Sequence, residues 1–257
     1  MLLVSVVVGL VPALGGWLIL RCITPTALGC LLGSGFCCGV YYLGLARGYE
    51  SGDFTTVYPA ARGLPVLMLG LADAARGHLP TAWGWMGMFV VAIGCFMVPQ
   101  RSFRQLHVRE YLHHSVPWIV LTALGTVGYS VLDKIGLENT RTGPAEAAIY
   151  GYMFFVVSAI TYLALNALFR SRIEGPPRIG WRLPAVAAVC NFGAYWLILW
   201  SFQLTDRVSY VVAFRQFSIV IGVTAAVVLF REDGRLIRTL GAVVIAAGLI
   251  VLKLFGS

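Results

Sequence analysis

Two arginines interrupt long apolar stretches of the chain, and their positions indicate a binding site for an anion. Arg62 lies near the centre of the uncharged stretch 54–72, and Arg215 is the eighth residue of the stretch 208–230. An arginine at such a depth in a bilayer costs at least about 2.5 kcal/mol, so both should face protein or a water-filled cavity. A guanidinium binds a carboxylate or phosphate through two parallel hydrogen bonds. We expect either direct contact with an anionic substrate or a structural pairing with backbone carbonyls.

Several polar and aromatic side chains share the neighbourhood of these arginines or lie together on a separate apolar run. Aromatic rings could line a cavity for a cation or an aromatic substrate, or they could only pack one helix against another. The further substrate-binding candidates on these grounds are Tyr58, Gln216, Asn191, Tyr195 and Trp196.

One carboxylate is a candidate for coupling a membrane process to a proton gradient. Glu146 stands at the start of the run 145–169, with Tyr150 one helical turn further on. A carboxylate at the mouth of a cavity could take up and release a proton. The same position at a helix N-terminus also suits a simple partner of the helix dipole.

Other charged residues near the ends of apolar runs favour structural roles. Asp133 and Lys134 are adjacent close to the end of a run, which predicts an ion pair at the membrane interface. Asp53 and Asp206 each precede a run, which predicts that they are N-caps or first-turn acids of helices.

The composition requires lipid as the solvent for much of the surface. Of the 257 residues, 59% are hydrophobic and only 12% are charged, and the mean hydropathy is +0.83. A soluble domain carries about twice this fraction of charged residues. The net charge of +8 comes from small groups of Lys and Arg between apolar runs. Without a basic domain or stripe, this pattern argues against nucleic-acid binding.

The residues that would support catalysis, a metal or a nucleotide do not cluster. The 11 acids are scattered, the six cysteines lack metal-ligand spacing, and no nucleotide-binding Gly-rich loop with Lys-Ser or Lys-Thr is present. His107, His113 and His114 lie in one Arg-rich segment and are expected to be solvated. We therefore predict that the protein is not an enzyme and uses no metal or cofactor.

Nine apolar runs are long enough to cross a bilayer as α-helices, since each rises about 1.5 Å per residue against a hydrocarbon core of about 30 Å. Backbone groups in lipid must be satisfied within the segment, which requires helices. These runs predict an all-α integral membrane protein, and they lie near 1–20, 25–46, 54–72, 82–99, 117–137, 145–169, 182–204, 208–230 and 236–255.

An internal repeat divides the chain into two similar halves. A shift of 153 residues places Asp53 and Arg62 on Asp206 and Arg215, and one inserted position later two Gly-x6-Gly pairs coincide. The second copy, 117–257, has five runs, whereas the first, 1–100, has four and lacks its first helix; a basic loop, 101–116, connects them. An odd number of helices per copy predicts two inverted repeats, as in many secondary transporters.

The repeated unit resembles the EamA family of the drug/metabolite transporter superfamily. The likeness rests on the segment from Asp53 through Val57-Tyr58-Pro59-Ala60-Ala61-Arg62-Gly63, on its counterpart Ser209 to Gln216, and on the Gly-x6-Gly helix that closes each unit. The resemblance implies ten helices in two inverted repeats around a central cavity. The chain departs from the family pattern in its missing first helix and in Gly77-His78, which replace an acidic residue.

These observations together predict a secondary transporter without ATP that moves a small metabolite or drug-like molecule, with an anionic substrate favoured by the arginines. Alternating access in the bacterial inner membrane is expected, and export is the direction common in the family. Membrane lipid is the other expected partner, and the oligomeric state stays open. The alternatives are a flippase for lipids or lipid-linked sugars on the same fold and a non-transporting membrane subunit.

Overall fold

The computed structural model describes residues 23–51, 54–98, 100, 116–169, 182–225 and 235–256, and every regular element in these ranges is an α-helix. The helices are α1 (Pro25–Ser51), α2 (Phe54–Ala75), α3 (Ala82–Met97), α4 (Val116–Glu138), α5 (Pro144–Leu168), α6 (Arg182–Leu204), α7 (Val208–Arg215), α8 (Phe217–Ala225) and α9 (Arg235–Phe255).

Within the described ranges, six helical stretches are long and apolar enough to cross a membrane. They are α1, α4, α5, α6, α9 and the combined stretch of α7 and α8, while α3 is a shorter apolar helix. The predicted runs from 25–46 onward all fall on helices, and the run 1–20 lies outside the described residues. The multi-pass helical architecture predicted from hydropathy is therefore confirmed, although the count of nine spans is not.

The prediction for the run 208–230 differs from the structure in one respect. The assigned helix is interrupted at one residue, Gln216, between the end of α7 at Arg215 and the start of α8 at Phe217. The backbone of Gln216 stays in the right-handed helical region (φ −68°, ψ −12°), and the two elements together form one apolar stretch from Val208 to Ala225. Neither Pro nor Gly stands at the break, where the residue is Gln216. At this residue the backbone hydrogen bonds tighten to the i→i−3 pattern, from Gln216 N–H to the Ala213 carbonyl and from Ile219 N–H to the Gln216 carbonyl.

The helices form two compact units. Unit 1 comprises residues 1–43 and 128–206, and unit 2 comprises residues 44–127 and 207–257. Each unit draws helices from both sides of the basic segment 101–116, of which residues 101–115 lie outside the described residues. The predicted domains, 1–100 and 117–257, divide the chain by its sequence repeat. The compact units divide the same chain at other positions.

Unit 1 is assembled around close approaches of α1 to two other helices. A methyl group added at Gly35 would lie 2.6 Å from the Val157 side chain of α5, and one at Gly39 would lie 2.5 Å from Thr161. On α4, a methyl group at Gly128 would lie 2.8 Å from the sulfur of Cys37. Small residues at these positions let the helices approach closely enough for dispersion contacts to hold them together in lipid.

Unit 2 contains a reciprocal contact between α3 and α9. A methyl group at Gly87 would lie 2.9 Å from the Gly248 carbonyl oxygen, and one at Gly248 would lie 2.9 Å from the Gly87 carbonyl oxygen. Two helical turns further along α3, a methyl group at Gly94 would lie 2.8 Å from the Gly241 carbonyl oxygen. The two helices therefore run antiparallel, with backbone against backbone, and the Gly-x6-Gly pairs of the two sequence copies meet each other.

A buried carboxylate caps α7 within unit 2. Asp73, near the end of α2, is 0% exposed and accepts hydrogen bonds from the backbone N–H groups of Val208 at 3.2 Å and Ser209 at 2.8 Å. Asp206 is exposed, and Arg207 occupies the N-cap position without a side-chain hydrogen bond. The prediction that Asp206 caps this helix is therefore wrong: a carboxylate from another helix satisfies the free N–H groups.

Candidate functional site

The interruption between α7 and α8 brings together three of the predicted site residues of unit 2. Gln216 lies in the break and is 2% exposed. Its side-chain nitrogen, Nε2, lies 3.4 Å from the backbone carbonyl oxygen of Arg62 in α2 and 3.3 Å from that of Val212. Arg215 is the last residue of α7 and precedes Gln216 in the chain. Arg62 lies on the other side of Gln216, across its contact with α2.

The polar groups at this break are only partly satisfied. The Gln216 side-chain oxygen, Oε1, is buried and has no hydrogen-bond partner among the described residues. Other polar groups at the break are satisfied. Gln216 N–H donates to the Ala213 carbonyl at 3.0 Å, and Ser218 Oγ donates to the Arg215 carbonyl at 3.0 Å. A buried acceptor of this kind costs about 1–3 kcal/mol unless a partner arrives. Arg62 and Arg215 are both half-buried. Partial exposure of this kind would let a ligand reach their guanidinium groups from water.

A second polar cluster lies in unit 1, around Asp133 of α4. Asp133 is 0% exposed, and Ser34 Oγ of α1 and the Tyr195 hydroxyl of α6 each donate to one of its carboxylate oxygens. Ser34 Oγ also lies 3.3 Å from the backbone carbonyl oxygen of Tyr129. The Tyr150 hydroxyl of α5, also buried, faces the same carboxyl outside hydrogen-bond geometry. Three helices thus bring hydroxyl groups to one carboxyl on a fourth.

Aromatic rings surround this carboxyl cluster. The Tyr195 ring stacks on Phe154 with 4.8 Å between ring centroids, and it meets Tyr129 edge-on at 6.0 Å and Phe155 edge-on at 5.7 Å. Offset-stacked and edge-on pairs of this kind contribute about 0.5–1.5 kcal/mol each beyond the area that they bury. The rings hold Tyr195 in place beside the carboxyl to which it donates.

Lys134 follows Asp133 in the chain but belongs to a different set of contacts. Its ammonium, on a residue 3% exposed, donates to the Phe202 carbonyl at 2.7 Å and lies 3.1 Å from a carboxylate oxygen of Glu138. The prediction that Asp133 and Lys134 form an interfacial pair is wrong, because both are buried and each faces its own partners. Neighbouring residues on a helix point about 100° apart, which places them in separate environments.

The remaining predicted site residues of unit 1 do not gather around one point. Tyr195 belongs to the carboxyl cluster, whereas the indole nitrogen of Trp196, Nε1, donates to the Pro144 carbonyl at 2.6 Å. Asn191 is half-buried one turn earlier on α6. Glu146 lies in the first turn of α5 and packs over Gly143, as a partner of the helix dipole would. Its role in coupling remains a prediction.

Some predictions fall outside the described part of the structure. Tyr58 lies within α2, but its side chain is outside the described residues, as are Asp53 and the segment with His107, His113 and His114. Within the described ranges, no group of three His, Cys, Asp or Glu side chains could hold a metal ion.

Two buried carboxylates were not among the predicted site residues, namely Asp73 and Asp133. Both lie in the last three turns of apolar helices. From hydropathy alone, a charge at such a position is expected near the membrane interface. A signal was available for Asp133, since Ser130 and Tyr129 precede it by about one helical turn and give the helix a polar stripe.

The fold and the buried polar clusters define an integral, multi-pass membrane protein of α-helices. The profile of the EamA-like transporter family matches residues 114–254, which is more than half of the chain, and the chain belongs to that family. The family consists of membrane transporters of the drug/metabolite type rather than enzymes. No curated protein gives a significant match to the sequence.

Proposed function

We propose that the protein is a secondary transporter that binds an anionic group of a small metabolite or drug-like molecule at the helix break of unit 2. Membership of the family supports transport, and the observation that supports this substrate site is the interruption at Gln216. A short stretch of tighter helix within a span often marks a functional hinge. Here it coincides with a buried acceptor, Gln216 Oε1, that has no partner among the described residues.

The chemistry of the break favours an anionic group with a hydrogen-bond donor. Arg62 and Arg215 supply two guanidinium groups on helices that Gln216 links through its contact with the Arg62 carbonyl. The guanidinium groups suit a carboxylate or phosphate, and the unpaired Oε1 of Gln216 suits a donor on the same molecule. An amino acid or a hydroxylated organic acid carries both kinds of group.

Alternating access is proposed from membership of the transporter family, since secondary transporters expose one binding site to each side of the membrane in turn. Bacterial inner-membrane location and the direction of transport remain proposals from the family likeness.

The proposed inverted repeat has support from the helix bounds. Shifted by 153 residues, the end of α1 falls on the end of α6, and α2 falls on α7 and α8. The antiparallel contact of α3 with α9 joins the Gly-x6-Gly pairs of the two copies. Two copies in opposite orientations would produce such a reciprocal contact at their pseudo-two-fold axis.

Purified protein melted against a panel of amino acids, organic acids, organic phosphates, nucleotide sugars and lipophilic cations tests the substrate proposal. A ligand at 100 times its dissociation constant stabilises the folded state by about 2.7 kcal/mol. We expect an anionic compound to raise the melting temperature of the wild type, but not that of Arg62→Gln or Arg215→Gln.

Arg141→Gln is the matched control, because Arg141 is exposed in the loop before α5 in unit 1. Its variant should respond to the ligand as the wild type does. Stabilisation of both arginine variants by the same anion would contradict the site. A response to cations alone would contradict the substrate class.

A flippase for lipids is a second candidate, supported by an apolar groove of unit 2. The groove has a volume of about 460 Å³ and is lined by Phe214 and Phe217 of the interrupted span together with Leu249, Ile250 and Lys253 of α9, among others. Its lining could hold an acyl chain, and the ammonium of Lys253 could meet a phosphate. Movement of a fluorescent phospholipid between the leaflets of reconstituted vesicles, lost in Phe217→Ser, would favour the flippase over the metabolite transporter.

A further inference from the structure

The hydrogen-bonding partners of Asp133 allow its carboxyl to be either ionised or protonated. A hydroxyl group has one hydrogen to donate and lone pairs to accept with, whereas an ionised carboxylate only accepts. When Asp133 is ionised, Ser34 and Tyr195 each donate to one of its oxygens, as the structure has them.

The protonated state is equally well satisfied without displacement of a heavy atom. The carboxyl O–H then donates to Ser34 Oγ, and Ser34 turns its own hydrogen toward the Tyr129 carbonyl oxygen, 3.3 Å away. Tyr195 continues to donate to the other carboxyl oxygen. A buried group that is fully hydrogen-bonded in both states can gain or lose a proton at little cost in reorganisation.

Asp73 in unit 2 is a buried carboxyl whose partners are of a different kind. Its partners are the backbone N–H groups of Val208 and Ser209, which donate and cannot accept. A guanidinium nitrogen of Arg76 lies 3.9 Å from one of its oxygens and adds a positive charge. These three groups offer hydrogens and no lone pair, so they give a carboxyl O–H nothing to donate to.

Among the described residues that face Asp133, none carries a positive charge that would stabilise its ionised form. The titratable groups that face it are Cys30 and Cys37 of α1, Tyr150 of α5 and Tyr195 of α6, all neutral near neutral pH. On its own helix, Lys134 directs its ammonium to Phe202 and Glu138. A carboxylate in such a setting is costly to keep ionised, which makes proton uptake accessible.

We propose that Asp133 is a proton-binding site and that it carries the proton that couples transport to the proton gradient. The proton enters from water on one side of the membrane, is held between Asp133 and Ser34, and leaves to water on the other side. The coupling rests on the proposed transporter function, whereas the binding of a proton by Asp133 does not. Asp133 takes the role for which Glu146 was the candidate from sequence.

Infrared difference spectra of the protein in lipid nanodiscs test proton binding directly. The spectra would be recorded between about pH 5 and about pH 9, a range that includes the titration of buried carboxyl groups. We expect the wild type to show the carbonyl stretch of a protonated carboxylic acid that appears as the pH falls. This band should be lost in Asp133→Asn and retained in Asp73→Asn and Glu146→Gln.

Asn at position 133 can accept from Tyr195 and donate to Ser34, so this variant should fold. If it does not, Ser34→Ala provides a second measurement, since loss of one partner should move the midpoint of the same band. Absence of the band in the wild type, its persistence in Asp133→Asn, or its loss in Glu146→Gln would overturn the inference. Such a failure would leave the ligand-induced stabilisation at the arginines untouched, so the two proposals fail separately.

Discussion

Each of the two units contains one fully buried aspartate near the end of an apolar helix, and the two aspartates have opposite surroundings. In unit 2, Asp73 is held by two backbone N–H groups and lies near Arg76. In unit 1, Asp133 is held by two hydroxyls inside a shell of aromatic rings. The comparison shows that burial alone does not define the role of a carboxyl in a membrane protein. Partners that only donate make a structural cap, whereas partners that donate and accept make a proton site.

The same substitution at both aspartates should give the largest difference in stability. Asp73→Asn replaces an acceptor oxygen with an amide that faces N–H donors, and it should lower the free energy of unfolding by about 1–3 kcal/mol. Asp133→Asn should cost less than about 1 kcal/mol, because rotation of the two hydroxyls restores the hydrogen bonds. Thermal melts in one detergent measure both variants. Equal costs would remove the distinction between the two sites.

Asp206→Ala serves as the reference for Asp73, since Asp206 is exposed and does not cap α7. Its melting temperature should match the wild type within the usual range of surface substitutions, about 0.5 kcal/mol. A loss as large as that of Asp73→Asn would mean that Asp206 caps the helix after all.

The contact between α3 and α9 predicts a strong asymmetry between two glycines of unit 2. Gly248→Ala places a methyl group 2.8 Å from the Val91 backbone nitrogen and should destabilise by about 1–3 kcal/mol. Gly222→Ala in α8 meets nothing within 4 Å among the described residues and should stabilise its helix by about 0.5–1 kcal/mol. Urea or thermal unfolding of the pair would check this, and a neutral Gly248→Ala would show that the two helices are not in backbone contact.

The same substitution at two glutamines, one in each unit, distinguishes a structural role from a binding role, with a smaller expected effect. Gln203 of unit 1 accepts from Gly143 N–H at 3.1 Å and donates to Thr140 and to the Arg141 carbonyl, so Gln203→Leu should cost about 1–2 kcal/mol. Gln216 of unit 2 makes only long contacts and leaves Oε1 unpaired. Gln216→Leu should therefore be neutral or stabilising by up to about 1 kcal/mol, while ligand binding is lost.

Melting curves with and without the anionic ligand separate these effects. Destabilisation of Gln216→Leu by as much as Gln203→Leu would contradict the view that the break is kept for binding. So would an unchanged response of Gln216→Leu to the ligand.

Much of the helical architecture could be predicted, because the length of an apolar run and the hydrogen-bonding demand of lipid leave few other structures. The contact of α3 with α9 was partly visible in the repeated Gly-x6-Gly spacing. The break at Gln216 was not, since its neighbours Arg215 and Phe217 are ordinary helix residues. The role of Asp133 also depended on tertiary structure, because its partners Ser34 and Tyr195 lie on other helices, far away in sequence.

Proton movement during transport tests the division of roles between the two units most directly. Wild type, Asp133→Asn and Arg215→Gln would be reconstituted into vesicles that contain a pH-sensitive dye, and the anionic compound found in the melting panel would be added with and without a pH gradient. We predict proton-coupled accumulation by the wild type, gradient-independent exchange without proton movement by Asp133→Asn, and neither by Arg215→Gln. Accumulation that follows the pH gradient in Asp133→Asn would contradict the account.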